Sequence, residues 1–406
     1  MTPLKWFSGF LKKYRLAIVI GLVLMTVIVA CAIVNPYISG MIVDDVIQGG
    51  AYDLLPKLIG IMLAVTAVRA ILRYATQMMF ETCSQGVLYR MRDAVYRKLL
   101  QEDFAFYNRN RTGDLMSRQT GDMDAIRHFV AFVIYTVYEN ILMFIFALVM
   151  IFMVNVKLAL CMMAVLPFCL FTTYLQSKHV KPRFHECRQS FSSLNAFVQE
   201  NISGNRVVKA FAKEEYEKEK FEKENDKYRE AELGAASIWC RFVPIFELLS
   251  NLLMVVLILY GGYQVICGEM TLGNLVTVNG YLWMLSNPLR FAGWWVNDVQ
   301  RFITSVEKIY DTYSKEPDVK RPKKGIKRKE MQGNIEFRNV SYEVEGEDII
   351  HNISFSVEKG QTVGILGSTG AGKSTIMNLL CRFYDVTEGE VLVDGIDANP
   401  NFLHQF

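Results

Sequence analysis

Gly367, four further residues, then Gly372, Lys373 and Ser374 satisfy the spacing G-x-x-x-x-G-K-[ST], which marks a loop that cradles a polyphosphate. The residue types follow from that task. Glycines let the backbone curl until several N–H groups point inward, and a helix opening at the end of the loop adds partial positive charge. Lys373 is placed to neutralise terminal phosphates, and the Ser374 hydroxyl to hold Mg²⁺. A chance glycine-rich turn is the bland alternative. A strand before the loop and a helix after it argue for nucleotide binding instead.

The elements that must position this loop are legible on both sides. Val363, Ile365 and Leu366 read as an apolar strand entering it, and a helix is expected from Lys373. Upstream, NIEFRNVSYEV and IIHNISFSV alternate as two strands, followed by an EKGQ turn, and Gly389 to Gly395 (GEVLVDG) reads as one more strand. Hydrolysis would also need a carboxylate at the end of a neighbouring strand and a group to position water. No such strand follows residue 395, and the roughly 70 residues from 334 to 406 make a poor core by themselves. The expectation is a chain whose missing part completes fold and site, so no catalytic residue is assigned.

Composition bounds the remainder. With 406 residues, 51% of them hydrophobic, and a mean hydropathy of +0.19, the chain is too apolar for an ordinary soluble protein and long enough for two domains. A net charge of +3 gives no reason to expect a nucleic-acid partner. The eight cysteines are scattered without a C-x-x-C pair, which favours reduced thiols. The opening MTPLKWFSGFLKKYR, aromatic and basic without an acid, reads as an interfacial amphipathic helix ahead of a membrane span.

Apolar runs at 16–38, 55–80, 129–154, 158–178, 242–266 and 275–296 predict six spans. Two long loops, Glu81 to His128 and Gln176 to Arg241, are crowded with Arg and Lys. The positive-inside rule therefore places them, the N-terminus and the C-terminal domain in the cytoplasm. Both loops read as helices continuing out of the membrane, turning near Tyr107 to Gly113 and near Val207 to Glu214, against the alternative of a simple solvated hairpin. Asn279, Asn287, Pro288 and Arg290 interrupt the last span, which should therefore line a pathway. Arg69 and Arg73, Glu139 and Asn140, and Glu247 and Asn251 are polar within other spans. They read either as structural pairs between helices or as substrate contacts. Trp283, Trp294 and Trp295 read as interfacial anchors.

Taken together, these features resemble a half-transporter of the ATP-binding-cassette (ABC) exporter family. Further matches are YNRNRTGDLMSRQTGDMDAIR in the first long loop, QENISGNRVVKAFAKEE in the second, GGYQVICGEMTLGNL, and NPLRF within the last span. The implied fold is an α-helical membrane domain of six transmembrane helices with long cytosolic extensions (residues 1–310). A linker (311–333) and a truncated α/β P-loop nucleotide-binding domain (334–406) follow. The resemblance implies that Gly367, Ser368, Thr369, Gly370, Ala371, Gly372, Lys373, Ser374 and Thr375 wrap ATP phosphates, with Lys373 on the β- and γ-phosphates and Ser374 on Mg²⁺.

It implies that Asn108 to Arg111 and Val208 to Glu214 are coupling helices that press on nucleotide domains. The adenine-stacking aromatic falls on Tyr342 or on nothing, because ungapped counting places Val344 at that position. The family's signature loop, catalytic glutamate and switch histidine would lie beyond Phe406. The implied protein is a multi-pass membrane exporter working as a homo- or heterodimer with a second half-transporter, in contact with membrane lipid. Its substrate would be an amphiphilic small molecule, lipid or peptide, and it would not bind nucleic acid. A nucleotide-binding regulatory half or an ATP-gated channel stays open as the alternative reading, invited by Val344. A membrane-tethered P-loop kinase would predict short loops, which the sequence does not have.

Overall fold

The computed structural model describes residues 2–319, 332–344 and 346–398, so most of the expected 311–333 linker and the last eight residues lie outside the described set. In chain order the helices are α1 (Pro3–Leu11), α2 (Arg15–Met41), α3 (Leu55–Leu99), α4 (Phe104–Arg109), α5 (Thr112–Ser117), α6 (Met123–His128) and α7 (Ile134–Val154). They continue with α8 (Val156–Met163), α9 (Leu166–Ala210), α10 (Glu214–Val256), α11 (Gly262–Ile266), α12 (Leu272–Ser314) and α13 (Lys373–Leu380). The strands are β1 (Ile335–Val344), β2 (Glu347–Val357), β3 (Glu388–Val393) and β4 (Ile396–Asp397). Two units emerge. One holds Leu11–Gln85 and Arg127–Phe302; the other holds Met1–Phe10, Gly86–Ile126 and Ile303–Phe406.

The first unit is all helix. Among the described residues four helical stretches are long and apolar enough to cross a membrane: Pro3–Gln48, Tyr52–Leu99, Thr112–Val154 and Glu214–Ile266. The other two expected spans are also helical, with 158–178 divided between α8 and α9 and 275–296 lying inside α12. The core joins Val29 and Ala32 of α2, Met143, Ala147 and Ile151 of α7, Leu158 and Met162 of α8, Leu253 of α10, and Val278 and Tyr281 of α12. Tyr281 is buried, and its hydroxyl donates to the Ile33 carbonyl at 3.0 Å, so its one polar atom is satisfied inside the apolar packing.

Lipid offers no hydrophobic drive between helices, so close backbone approach must supply the attraction. Gly40 of α2 and Gly273 of α12 provide it: a Cβ at Gly40 would strike the Thr277 side chain and the Gly273 carbonyl. The Asp44 carboxylate then accepts from the Gly273 N–H at 2.6 Å, closing the same end of the pair. Large apolar side chains elsewhere face outward, among them Leu16, Val23, Leu63 and Ile71, as a lipid-facing surface requires.

The second unit contains a four-stranded antiparallel sheet in the order β2-β1-β3-β4. Phe337 and Val340 of β1, Ile350 of β2, Val391 of β3 and Ile376 and Leu379 of α13 form its core. The three strands predicted around the P-loop at 334–344, 349–357 and 389–395 form as β1, β2 and β3. The apolar strand expected through Val363, Ile365 and Leu366 does not. Residues 361–368 join no ladder, and Leu366 is 97% exposed. The physical reason is pairing: a strand buried on both faces needs neighbours to share its N–H and C=O groups, and no described strand flanks this one. The N-terminal helix also differs from a simple interfacial anchor. Trp6 and Phe7 of α1 are buried, with Trp6 packed on Tyr310 and Tyr313 of α12 at ring-centroid distances of 5.7 and 5.0 Å.

Candidate nucleotide site

Helix α13 is the anchor of the P-loop. Its inner face, Ile376 and Leu379, is held in the sheet core, which fixes where its N-terminus lies. Gly372, with φ +81°, is the residue immediately before the helix, and Gly370 has φ +91°. Both values lie in the left-handed region that glycine enters without steric cost. A Cβ on Gly372 would also come within 3.1 Å of the Ile349 carbonyl and 3.2 Å of Ile350 Cγ1. The loop therefore turns directly over β2. The Thr375 and Ile376 N–H groups donate to the Gly372 carbonyl at 3.0 and 3.1 Å, starting the helix.

Lys373 Nζ folds back into the curl, donating to the carbonyls of Gly367 at 2.9 Å and Ser368 at 2.7 Å. An ammonium held inside a loop, with three donors and two neutral acceptors, suits an incoming phosphate oxygen. The Ser374 side chain is exposed at the first turn of α13. Among the described residues no group of three or more His, Cys, Asp and Glu could hold a metal. A Mg²⁺ here would depend on Ser374, phosphate and water, the ligand set that ion favours at nucleotide sites. The residues present fit a Mg–nucleotide.

Tyr342 of β1 lies beside Tyr384, with ring centroids 5.5 Å apart. Partial burial raises its phenol pKa, with Tyr384 adding to the effect. Tyr342 and Val344 line one cavity of about 610 Å³ together with Ile349 and Thr375. Tyr342, the candidate for the adenine position, and Val344 therefore both sit next to the P-loop helix.

The turn of the first long loop reaches the same region of this unit. Asp103 caps α4, accepting from the Phe106 N–H at 2.8 Å, which sets the helix end. Phe104 then stacks on Phe383 at 4.3 Å, and Asn108 Nδ2 donates to the Tyr384 hydroxyl at 2.8 Å. Arg109 pairs with Asp318 at 3.2 Å, and the second oxygen of Asp103 accepts from the Asp318 and Val319 N–H groups at 2.5 and 3.1 Å. The Tyr107 hydroxyl donates to the Leu99 carbonyl at 2.7 Å, tying α4 to the end of α3. Phe383 and Tyr384 follow α13 by three and four residues. Their turn is fixed by Arg382, which has φ +53°, is buried and donates to Asp385 at 2.8 Å.

Asn108 thus touches the turn after the P-loop helix, while Arg109 pairs with Asp318; Asp103, Phe104, Phe383 and Tyr384 were not singled out by the sequence. The available signal was a pair of aromatics, FY, standing between a charged residue on each side just after an apolar helix. The second turn forms between α9 and α10, where Ala212 has φ +47° and Phe211 is exposed.

Of the polar residues in the spans, Arg73 and Glu139 form a hydrogen-bonded ion pair across α3 and α7. Asn140 is absorbed by its own helix, donating to the Thr136 carbonyl at 2.8 Å. Glu247 and Asn251 are exposed on α10.

Comparison with known proteins agrees with this architecture. Residues 18–289 match the model of the ABC transporter transmembrane region, and residues 350–405 match part of that of the ABC transporter domain. The chain belongs to the ABC transporter family. It is 32% identical over 400 residues to an uncharacterized ABC transporter ATP-binding protein, YknU, of Bacillus subtilis, covering 97% of this chain and 68% of that protein. It is 33% identical over 400 residues, again 97% and 68%, to YheI of the same organism, a probable multidrug resistance ABC transporter ATP-binding/permease protein. An ATP-dependent lipid A-core flippase of Syntrophus aciditrophicus is 28% identical over 354 residues, covering 87% of this chain and 59% of the flippase. The protein is a multi-pass membrane protein whose ATP-binding domain is cytoplasmic.

Proposed function

We propose that this chain is one half of a dimeric ATP-driven exporter of an amphiphilic substrate, with six membrane spans contributed by each half. The observation that carries the reading is the contact of Phe104 and Asn108 with Phe383 and Tyr384, directly after the P-loop helix. Relatives that are a probable multidrug resistance transporter and a lipid A-core flippase support an amphiphilic cargo. In this reading residues 1–310, 311–333 and 334–406 are the membrane domain, linker and nucleotide domain. ATP, when bound with Mg²⁺, supplies the free energy of its phosphoanhydride bond. Gly367 to Thr375 would hold its phosphates, Lys373 would neutralise the β- and γ-phosphates, and Ser374 would offer its hydroxyl to the metal.

Tyr342 supplies the face for adenine. A shift of the Phe383–Tyr384 turn is passed to α4, and through the Tyr107–Leu99 bond to α3, which carries it toward the membrane gate. The test is uptake of a fluorescent amphiphile into inverted vesicles carrying the full-length protein. Lys373→Ala is expected to abolish ATP-dependent uptake, and unchanged uptake in that variant refutes the proposal. Val344, at the end of β1 and lining the same cavity as Tyr342, favours a second reading in which this half binds nucleotide with little turnover. Conductance without substrate stoichiometry, or binding without hydrolysis in the assembled pair, marks that reading.

A further inference from the structure

Arg69 and Arg73 are four residues apart on α3 and share one face of it. Arg73 is spoken for by Glu139, which is only 7% exposed. Among the described residues Arg69 makes no hydrogen bond or ion pair, so the group carries one positive charge in excess of its acid. Depth can be counted from the outward ends of the two helices. Arg69 lies about 21 Å along the axis from Leu55, and Glu139 about 22 Å from Val154. Both therefore sit well inside their spans, more than a turn from either end of a hydrocarbon layer of about 30 Å. An uncompensated guanidinium there is costly unless it faces a polar interior.

The surroundings hold polar groups free to meet an oxyanion, each hydroxyl able to turn its proton toward one. Arg73 Nε and the Thr76 hydroxyl, within a turn of each other on α3, are shielded from solvent and lack a hydrogen-bond partner among the described residues. Thr76 is 0% exposed. The amide oxygen of Asn35 is likewise unpartnered; its amide nitrogen donates to Thr66, about one turn outward of Arg69. That oxygen is neutral and offsets no charge. Glu247 is exposed and lies about 8 Å along the axis from residue 242, close to the cytoplasmic end of its span, where water can solvate it.

From this arrangement we infer that Arg69, with the unpartnered polar groups around the Arg73–Glu139 pair, forms an anion-recognition site, and that the cargo is an amphiphile with a carboxylate or phosphate head. Oxyanions of either kind offer several acceptor lone pairs and the missing negative charge. The assignment rests on the exporter reading for the word cargo, but not for the site itself.

The experiment uses the full-length protein in phosphatidylcholine nanodiscs without nucleotide. Dansyl-labelled dodecyl probes ending in carboxylate, phosphate monoester or trimethylammonium are titrated by fluorescence. Both anionic probes are expected to bind roughly tenfold or more tightly than the cation, the scale of one charge-assisted hydrogen bond. Arg69→Gln is expected to erase that preference and Arg69→Lys to keep most of it. A tighter phosphate than carboxylate supports a phospholipid-like cargo, and equal affinities support a fatty-acid-like one. Equal or tighter binding of the cation overturns the inference, and so does an unchanged anion affinity in Arg69→Gln. The latter is the outcome expected if an acid of a second copy already neutralises Arg69. ATP-driven uptake of the probes into proteoliposomes separates the two readings. Uptake without anion preference sinks only this site, whereas Arg69-dependent binding without any uptake sinks only the exporter.

Discussion

Replacing Phe104 by Ala removes the stacked contact between the first long loop and the turn after the P-loop helix. Phe104 is 49% exposed, so the change forfeits about half of the ~1.5–3 kcal/mol that a fully buried phenylalanine contributes. The ring pair with Phe383 adds ~0.5–1.5 kcal/mol. Together these amount to about 1.3–3 kcal/mol, or roughly 10- to 150-fold in the docking equilibrium of α4 on its partner turn. The loss falls on the joint and leaves Lys373 and its loop intact. In proteoliposomes the Phe104→Ala protein should therefore hydrolyse ATP within about twofold of the parent while transporting several-fold less substrate per ATP. Phe104→Tyr, which keeps the ring, should restore the ratio. A variant that keeps the parental ratio of transport to hydrolysis, or loses both in proportion, refutes the idea that this contact carries the coupling.

Breaking the membrane-embedded pair should cost stability as well. Glu139→Ala leaves the half-exposed Arg73 without its acid, an effect of about 1.5–3 kcal/mol that a drop in detergent-phase melting temperature reports, and Arg73→Met with Glu139→Leu should recover most of it. Gly40→Val drives a side chain into Thr277 and the Gly273 carbonyl, so monodisperse protein by size exclusion should fall steeply. Gly60→Ala, which meets open space, should change nothing. Asp103→Ala removes the α4 cap, about 0.5–2 kcal/mol, together with the acceptor for the Asp318 and Val319 N–H groups. Hydrogen exchange should quicken at Phe106, Asp318 and Val319 and stay unchanged in β1.

What the sequence discloses and what it withholds divide along local and long-range lines. The P-loop was legible because its glycines, lysine and serine answer constraints within ten residues, and the φ values of Gly370 and Gly372 show which constraints those are. The turn near Tyr107 to Gly113 was legible from helical periodicity on both sides of it. The identity of its contacts was not, since Phe104 and Phe383 are separated by most of the chain and nothing in their spacing couples them. Cost alone required that Arg73 face an interior or a partner, yet only the packing of α3 on α7 selects Glu139 over Glu247. Val363, Ile365 and Leu366 show the converse failure. Their apolar pattern is correct for a central strand, but a strand is a property of at least two segments, and alternation in one of them says nothing about whether the other is present.

That same segment governs how the polypeptide behaves in a tube. A stretch whose valine, isoleucine and leucine all face solvent, and which joins no ladder among the described residues, is an adhesive for any second stretch of similar character. Preparations of these 406 residues alone should oligomerise through it in a concentration-dependent way, and a lysine at Ile365 should keep them dispersed.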